Sequence, residues 1–170
     1  MKKSTKIIAL TILCIGLVLV GLHLLQVIVY KPIPLVDGLS FGVTPQRTKI
    51  LFGIPIKTEQ NTCDTGKTAY TYQAEVLGQE AKVSCLFWDD KKLTDVQINW
   101  VNCDDALFQD VCAALHDYYS QKANFFQRTE ETDVHGSTCI TMGIDNDASG
   151  IFYTITKTGK TVSVSCINLY

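Results

Sequence analysis

Apolar and polar residues alternate along several segments of the chain, with the period of two that is typical of half-buried β-strands. In segment 80–88, for example, Val83, Cys85 and Phe87 fall on one face. Alternation, together with β-favouring residues, predicts strands at 68–76, 80–88, 93–101, 138–144, 151–156 and 161–168. Short connections separate most of these strands, so we expect hairpins and an antiparallel sheet.

The segment from Asp104 to Gln121 has helical spacing instead. Leu107, Val111 and Leu115 recur on one side of it, and polar residues occupy most of the opposite side. Acidic residues at its start favour the helix through the helix dipole. The pattern predicts one amphipathic helix.

A shorter helix is predicted by the stretch "FGVTPQRTKILFGIP". Thr44 suits the N-cap and Pro45 the first helical position. Gly53 suits the residue after the helix, and Pro55 prevents its continuation. Gly42 and Gly53 therefore flank a helix, and the G-x-G-x-x-G spacing of a phosphate loop is absent.

The predicted order is helix, three strands, helix, three strands, with a long connection at 122–137 that holds one irregular strand. Such an order gives an α+β fold, a two-layer sandwich in which both helices pack on one face of an antiparallel sheet. Residues 39–102 and 103–170 share this order and are candidate halves of a duplication.

An uncharged run of 23 residues, Ile7–Val29, precedes the predicted domain and follows Lys2, Lys3 and Lys6. As a helix it would be roughly 34 Å long, enough to cross a bilayer core of about 30 Å. The upstream lysines favour an N-terminus inside the cell. We therefore expect an uncleaved single-pass membrane anchor, although cleavage as a signal peptide stays open at this point. The expected segments are 1–6 cytoplasmic, 7–29 transmembrane, 30–38 linker and 39–170 an extracytoplasmic domain.

Charge and cysteine content narrow the class of protein further. Residues 30–170 have a net charge of −5 with histidine neutral, and no basic stripe occurs, which argues against nucleic-acid binding. Six cysteines in an exported domain predict disulfides, with the pairing left open. The candidates are Cys63, Cys85, Cys103, Cys112, Cys139 and Cys166.

Two motifs have residue types that occur in reactive or metal-binding sites. Cys112 and His116 are four residues apart on the long helix, a spacing that would suit a nucleophile pair or two metal ligands. The segment "DNDASG" starts like a calcium loop, but Thr156 stands where a glutamate would be required. We predict structural roles for both motifs, and therefore no catalytic residue, metal or cofactor.

Aromatic residues on the predicted strands are candidates for a recognition surface, because such residues dominate binding energy at interfaces. The alternative is that they form the core. The candidate residues are Tyr70, Tyr72, Trp88, Trp100 and Tyr153.

The short-helix motif resembles a known family. Gly42, Thr44, Gly53 and Pro55 match the G-x-T-x-x-x-V-x-x-x-L-G-x-P stretch of SmpA/OmlA (BamE-like) domains, and the strands at 70–98 are similar to that family's hairpin. In tandem, the same unit resembles β-lactamase-inhibitory-protein-like folds. These families are binding scaffolds, so the resemblance implies a protein partner and no catalytic residues.

The expected function is that of a non-enzymatic, membrane-anchored, extracytoplasmic protein-interaction module of the cell envelope. Two alternatives stay open: a small-ligand sensor domain, and an envelope enzyme that uses the Cys112–His116 pair.

Overall fold

The computed structural model describes residues 31–61, 66–89, 91–132, 137–146 and 149–169, together with Gly16. The chain divides into two units, Met1–Lys31 and Pro32–Tyr170. All elements described below belong to the second unit.

Two helices and eight strands make up the described part of this unit. The helices are α1 (Pro45–Phe52) and α2 (Asp105–Tyr119). The strands are β1 (Lys57–Asn61), β2 (Lys67–Val76), β3 (Gln79–Trp88), β4 (Lys92–Val101), β5 (Phe125–Thr132), β6 (Ser137–Asn146), β7 (Ser149–Thr158) and β8 (Thr161–Leu169).

The eight strands form one sheet in the order β1-β2-β3-β4-β8-β7-β6-β5, and every pair of neighbours is antiparallel. Each helix is followed by a meander of four strands. The two meanders meet where β4 pairs with β8, and β1 and β5 form the two edges of the sheet.

The predicted fold class is wrong. Over the described residues the fold is mostly sheet, with eight strands in place of six regular strands and one irregular one, and with only two short helices. The edge strand β5 lies within the connection 122–137, where the irregular strand was predicted. The other edge strand, β1, was not predicted, because its sequence KTEQN has no apolar residue that could signal a buried face. The predicted transmembrane helix is not found either. In the ranges that the structure describes, no helix is long and apolar enough to cross a membrane. The predicted span, Ile7–Val29, lies outside the described residues except for Gly16.

The prediction that segment 30–38 is a linker is also wrong from Pro32 onward. Ile33, Leu35 and Val36 are buried, because their apolar side chains pack against the domain. The Ile33 amide donates to the Leu39 carbonyl at 3.0 Å, and Pro32 bridges to Ser40, so the chain turns back on itself here. This segment is part of the fold.

The core lies on one face of the sheet, which we call the helix face. Residues paired directly across an antiparallel sheet point to the same side. One such row crosses five strands and is buried throughout. It consists of Tyr72, Val83, Ile98, Val164 and Ile155.

Both helices cover the helix face. In α1, the buried Thr48 hydroxyl is 3.0 Å from the Tyr72 hydroxyl. In α2, the Tyr119 hydroxyl is 2.7 Å from the hydroxyl of Tyr153 on β7. Tyr72 and Tyr153 both lie on the helix face, so the two helices occupy the same side of the sheet and leave the opposite side uncovered by either helix.

The two helix starts differ in a way that predicts different costs of substitution. The Asp104 carboxylate accepts a hydrogen bond from the Leu107 amide at 3.1 Å, whereas the Thr44 side chain makes no capping bond. Asp104→Ala should therefore lower the free energy of unfolding by about 1 kcal/mol, and Thr44→Ala by less than about 0.5 kcal/mol. Urea denaturation of both variants tests this. A larger loss for Thr44→Ala would show that the caps are assigned wrongly.

Candidate functional site

The uncovered side of the sheet, which we call the open face, has a continuous row of short polar side chains at its centre. The members are half-buried or exposed, and each is paired directly with the next on the neighbouring strand. From β2 across to β6 the row is Thr71, Ser84, Gln97, Ser165, Thr154 and Thr141. Five of the six carry a hydroxyl that can donate and accept hydrogen bonds.

An apolar row runs beside the hydroxyl row. It contains Leu86 on β3, Ile167 on β8, Phe152 on β7 and Phe126 on β5, with Asp95 on β4 and Gly143 on β6 between them. The rings of Phe126 and Phe152 are 5.7 Å apart. Trp88, two residues beyond Leu86 at the end of β3 and 50% exposed, lies beside this row on the same face. The open face therefore presents apolar contact area directly next to hydrogen-bonding groups.

One charged cluster interrupts the apolar row, with Asp95 on β4 inside the row and Lys67 on β2 beside it. The Lys67 ammonium is 5.6 Å from the centre of the Trp88 ring and 3.8 Å from the Asp95 carboxylate. The Thr94 hydroxyl donates to that carboxylate at 2.7 Å, next to an irregularity in the β3–β4 register. The charges of Lys67 and Asp95 are opposite, so this cluster adds no net charge to the open face. The Lys67 ammonium also contacts the Trp88 ring.

The open face is large enough for a stable protein interface. At about 4.8 Å between strands and about 3.3 Å per residue, eight strands of this length cover about 1,000 Å². A standard interface buries about 800 Å² per partner.

The aromatic residues that were predicted to form one recognition surface lie on different faces of the sheet. Tyr72, Trp100 and Tyr153 are buried on the helix face, and Tyr70 lies half-buried on the same side. Only Trp88 lies on the open face. The hydroxyl row was missed, although the alternation of each strand places its members opposite the apolar ones. What the sequence lacks is the register that joins them into a row.

The two buried tyrosines under α2 have structural roles. Burial raises the pKa of Tyr119 and also that of Tyr153, so both phenols stay neutral at physiological pH. Their hydroxyls bond to each other. Neither group is prepared for proton transfer near neutral pH.

The predicted disulfides are not found among the residues that the structure describes. Cys85, Cys103, Cys112, Cys139 and Cys166 are free thiols, and Cys63 lies outside the described residues. Strand placement explains why one pair, Cys85 and Cys166, is not bonded. Cys85 and Cys166 share a row but are separated by Val96 on β4, hence by about 10 Å, whereas a disulfide needs Cα atoms within about 7 Å.

The Cys112–His116 pair has the wrong electrostatics for a nucleophile. Burial raises the pKa of the Cys112 thiol to about 11, whereas a reactive cysteine needs a lowered pKa. The His116 ring packs edge-on against Phe125, and its Nδ1 is 3.8 Å from the Asp117 carboxylate. Both observations favour a structural role for this pair.

Alkylation of Cys112 by iodoacetamide gives a direct test of this interpretation. The pKa of about 11, against an ordinary 9.0, lowers the thiolate fraction about 100-fold at pH 7.5. The rate should therefore keep rising about tenfold per pH unit up to pH 10, since only the thiolate reacts. Mass spectrometry of the Cys112 peptide at successive times measures this alkylation rate. Denatured protein is the control. A rate that levels off below pH 8 would instead indicate an activated thiol.

Metal coordination is the other chemistry that these sequence motifs could support. Over the described ranges, no group of three His, Cys, Asp or Glu residues is placed to hold a metal ion. The calcium-like segment lies at the β6–β7 hairpin, where Asn146 pairs with Ser149 and Asp145 with Gly150. Positions 147 and 148 lie outside the described residues.

The residues of the short-helix motif lie together at the start of the domain. Gly42 has a positive φ of 83°, and its amide donates to the Leu93 carbonyl on β4 at 2.9 Å. Pro45 opens α1 after Thr44. Gly53 ends it with φ 84° and ψ −143°, a conformation that is essentially restricted to glycine. Pro55 follows in the connection to β1.

No family model, curated protein or solved structure matches this chain. The resemblance to BamE-like domains therefore stays a prediction from the sequence motif.

Proposed function

We propose that the domain is a non-enzymatic protein-binding module that docks its partner on the open face of the sheet. The observation that supports this most is the hydroxyl row with the apolar row beside it, on a face that neither helix covers. Tryptophan and phenylalanine supply contact area, and short hydroxyl side chains supply adaptable hydrogen bonds, the combination found in many protein-binding surfaces.

The chemistry of the open face indicates what the partner presents. The central row from Thr71 to Thr141 contains no charged residue, and Lys67 lies 3.8 Å from Asp95. Lys57 on β1 and Arg128 on β5 follow the two ends of this row. We therefore expect little net charge only in the part of the partner surface that lies over the central row. The partner surface should place apolar side chains against Trp88, Leu86 and Ile167, and backbone or amide groups against the hydroxyl row.

The enzyme alternative has less support. A Cys–His nucleophile requires a thiolate at physiological pH, and the burial of Cys112 raises its pKa to about 11. The extracytoplasmic location stays a prediction from the sequence. The proposed binding function does not depend on it.

A pair of arginine substitutions tests the proposal in cells that naturally produce the protein. Thr154→Arg places a long charged side chain at the centre of the open face, whereas Asp110→Arg places one on the exposed side of α2. After chemical crosslinking, Thr154→Arg should reduce the recovered partner at least about tenfold, because burying an unpaired charge at an interface costs more than 1.4 kcal/mol. Asp110→Arg should leave recovery unchanged.

Circular dichroism of both variants controls for folding. The proposal is wrong if the two variants recover the same partner equally well, or if only Asp110→Arg loses it.

A further inference from the structure

A second surface lies at one edge of the sheet, where β1 covers only half of β2. The β1–β2 ladder begins at Lys57 opposite Thr71 and runs toward Asn61 opposite Lys67. Just before this ladder, the Ile56 amide donates a hydrogen bond to the Thr71 carbonyl at 2.8 Å. Pro55 precedes Ile56 and has no amide hydrogen to continue the ladder. The remainder of β2, Tyr72–Val76, has no strand beside its outer edge within the described residues.

The hairpin geometry shows which backbone groups of β2 face this outer edge. Leu77 and Gly78 form a two-residue turn with φ values of 53° and 72°, so Val76 and Gln79 form a hydrogen-bonded pair. Hydrogen-bonded pairs alternate along an antiparallel ladder. The amides and carbonyls of Gln73 and Glu75 therefore point outward, as the Thr71 carbonyl does.

Apolar surface surrounds this open edge. A cleft of about 560 Å³ is lined by residues of the N-terminal turn, of α1 and of β2, including Leu35, Leu51 and Phe52. Next to it, Ile54 is 91% exposed and Ile50 is 66% exposed. Large apolar side chains grouped in this way usually mark a contact site.

The charge at this edge is acidic and unbalanced. Glu75 and Glu80 are paired directly across β2 and β3, an arrangement that is unfavourable for like charges. Asp37 lines the cleft, and none of the described residues lining this cleft or the smaller one beside it is basic. Lys82 faces Gln73, and in the described part of the chain it makes no ion pair with either glutamate.

We propose that this corner binds an extended segment of a partner protein as an added β-strand, and that the segment alternates basic and apolar residues. The outward groups of Gln73 and Glu75 would bond to its backbone. A residue opposite Ala74 would point toward the helix face, where the cleft accepts an apolar side chain. One of its neighbours would lie opposite Glu75, where a lysine or arginine relieves the repulsion between Glu75 and Glu80 on the next strand.

A second copy of the chain fits this edge poorly. Two β2 edges joined by a twofold axis would bring Glu75 of one copy close to the acidic residues of the other. Glu75 and Glu80 lie on the open face, but at its β2–β3 corner and outside the hydroxyl row, and the outward backbone groups belong to the sheet edge. Either proposal can therefore fail without the other.

The experiment uses the full chain and a fluorescent peptide of seven residues in which lysine and valine alternate, with fluorescence anisotropy as the measurement. This peptide should bind at least about tenfold more tightly than one in which glutamate replaces lysine. A third peptide, with alternate backbone amides methylated, keeps the side chains but cannot complete the ladder. It should also bind at least about tenfold more weakly.

Variants of the chain test the same two features. Gln73→Pro removes one outward amide hydrogen without breaking a β2–β3 bond, so it should weaken binding of the lysine–valine peptide about tenfold, whereas the matched Gln73→Ala should not. Glu75→Gln combined with Glu80→Gln should weaken binding and reduce its salt dependence. Thr154→Arg should leave it unchanged.

Several outcomes would overturn the proposal. Equal binding of the lysine and glutamate peptides would remove the charge argument, and unchanged binding of the methylated peptide would exclude strand addition, whether or not Gln73→Pro folds. Concentration-dependent dimerisation that Gln73→Pro abolishes would assign the edge to a second copy instead.

Discussion

Replacing Trp100 with alanine is expected to lower the free energy of unfolding by about 3–5 kcal/mol, the usual cost of emptying a large buried site. Trp100 is 1% exposed on the helix face, and its indole nitrogen donates to the Val76 carbonyl at 3.2 Å. The substitution removes both the packing and this bond between β4 and the end of β2. Urea denaturation followed by circular dichroism measures the loss.

Trp88→Ala is the matched control, because it removes the same side chain from the open face. Trp88 is 50% exposed, so its loss should cost less than about 1 kcal/mol. Equal losses for the two tryptophans would contradict the assignment of the two faces.

Replacing Gly143 with valine is expected to destabilise the domain by about 3 kcal/mol, through overpacking that the backbone cannot relieve. A Cβ atom at Gly143 on β6 would collide with the backbone carbonyl of Ile151 on β7. The clash involves two paired strands, so the β6–β7 ladder must open or shift. Thermal and urea denaturation measure the effect.

Thr141→Val is the control for this substitution. Thr141 lies two residues away on the same strand and face, and it is half-buried. Its replacement should change the stability by less than about 1 kcal/mol. A Gly143→Val variant as stable as Thr141→Val would show that the two strands are less closely packed than described.

Local patterns in the sequence carry enough information for the helices and for the strands in the middle of the sheet. The Asp104 cap and the apolar stripe of α2 depend on residues close together in the chain, and the structure places this helix at Asp105–Tyr119. Edge strands are different. β1 pairs on one side only and needs no apolar face, so KTEQN gives no periodic signal.

The candidate site could not be predicted because it depends on register. Alternation shows that Thr71, Ser84 and Gln97 lie opposite the apolar positions of their own strands. It does not show that they are neighbours, which depends on strand order and on the β3–β4 irregularity between Leu86 and Phe87. The aromatic residues were grouped by residue type for the same reason, and three of them belong to the core.

The open face as a protein-binding surface is tested most directly by a photoreactive amino acid placed at Gln97, at the centre of the hydroxyl row. Asp117, on the exposed side of α2, is the comparison position. Irradiation of the producing cells should give one reproducible protein adduct from position 97 and none from position 117, and adding Thr154→Arg should abolish the adduct. No adduct from position 97, or one that persists with Thr154→Arg, would contradict the proposed docking on this face.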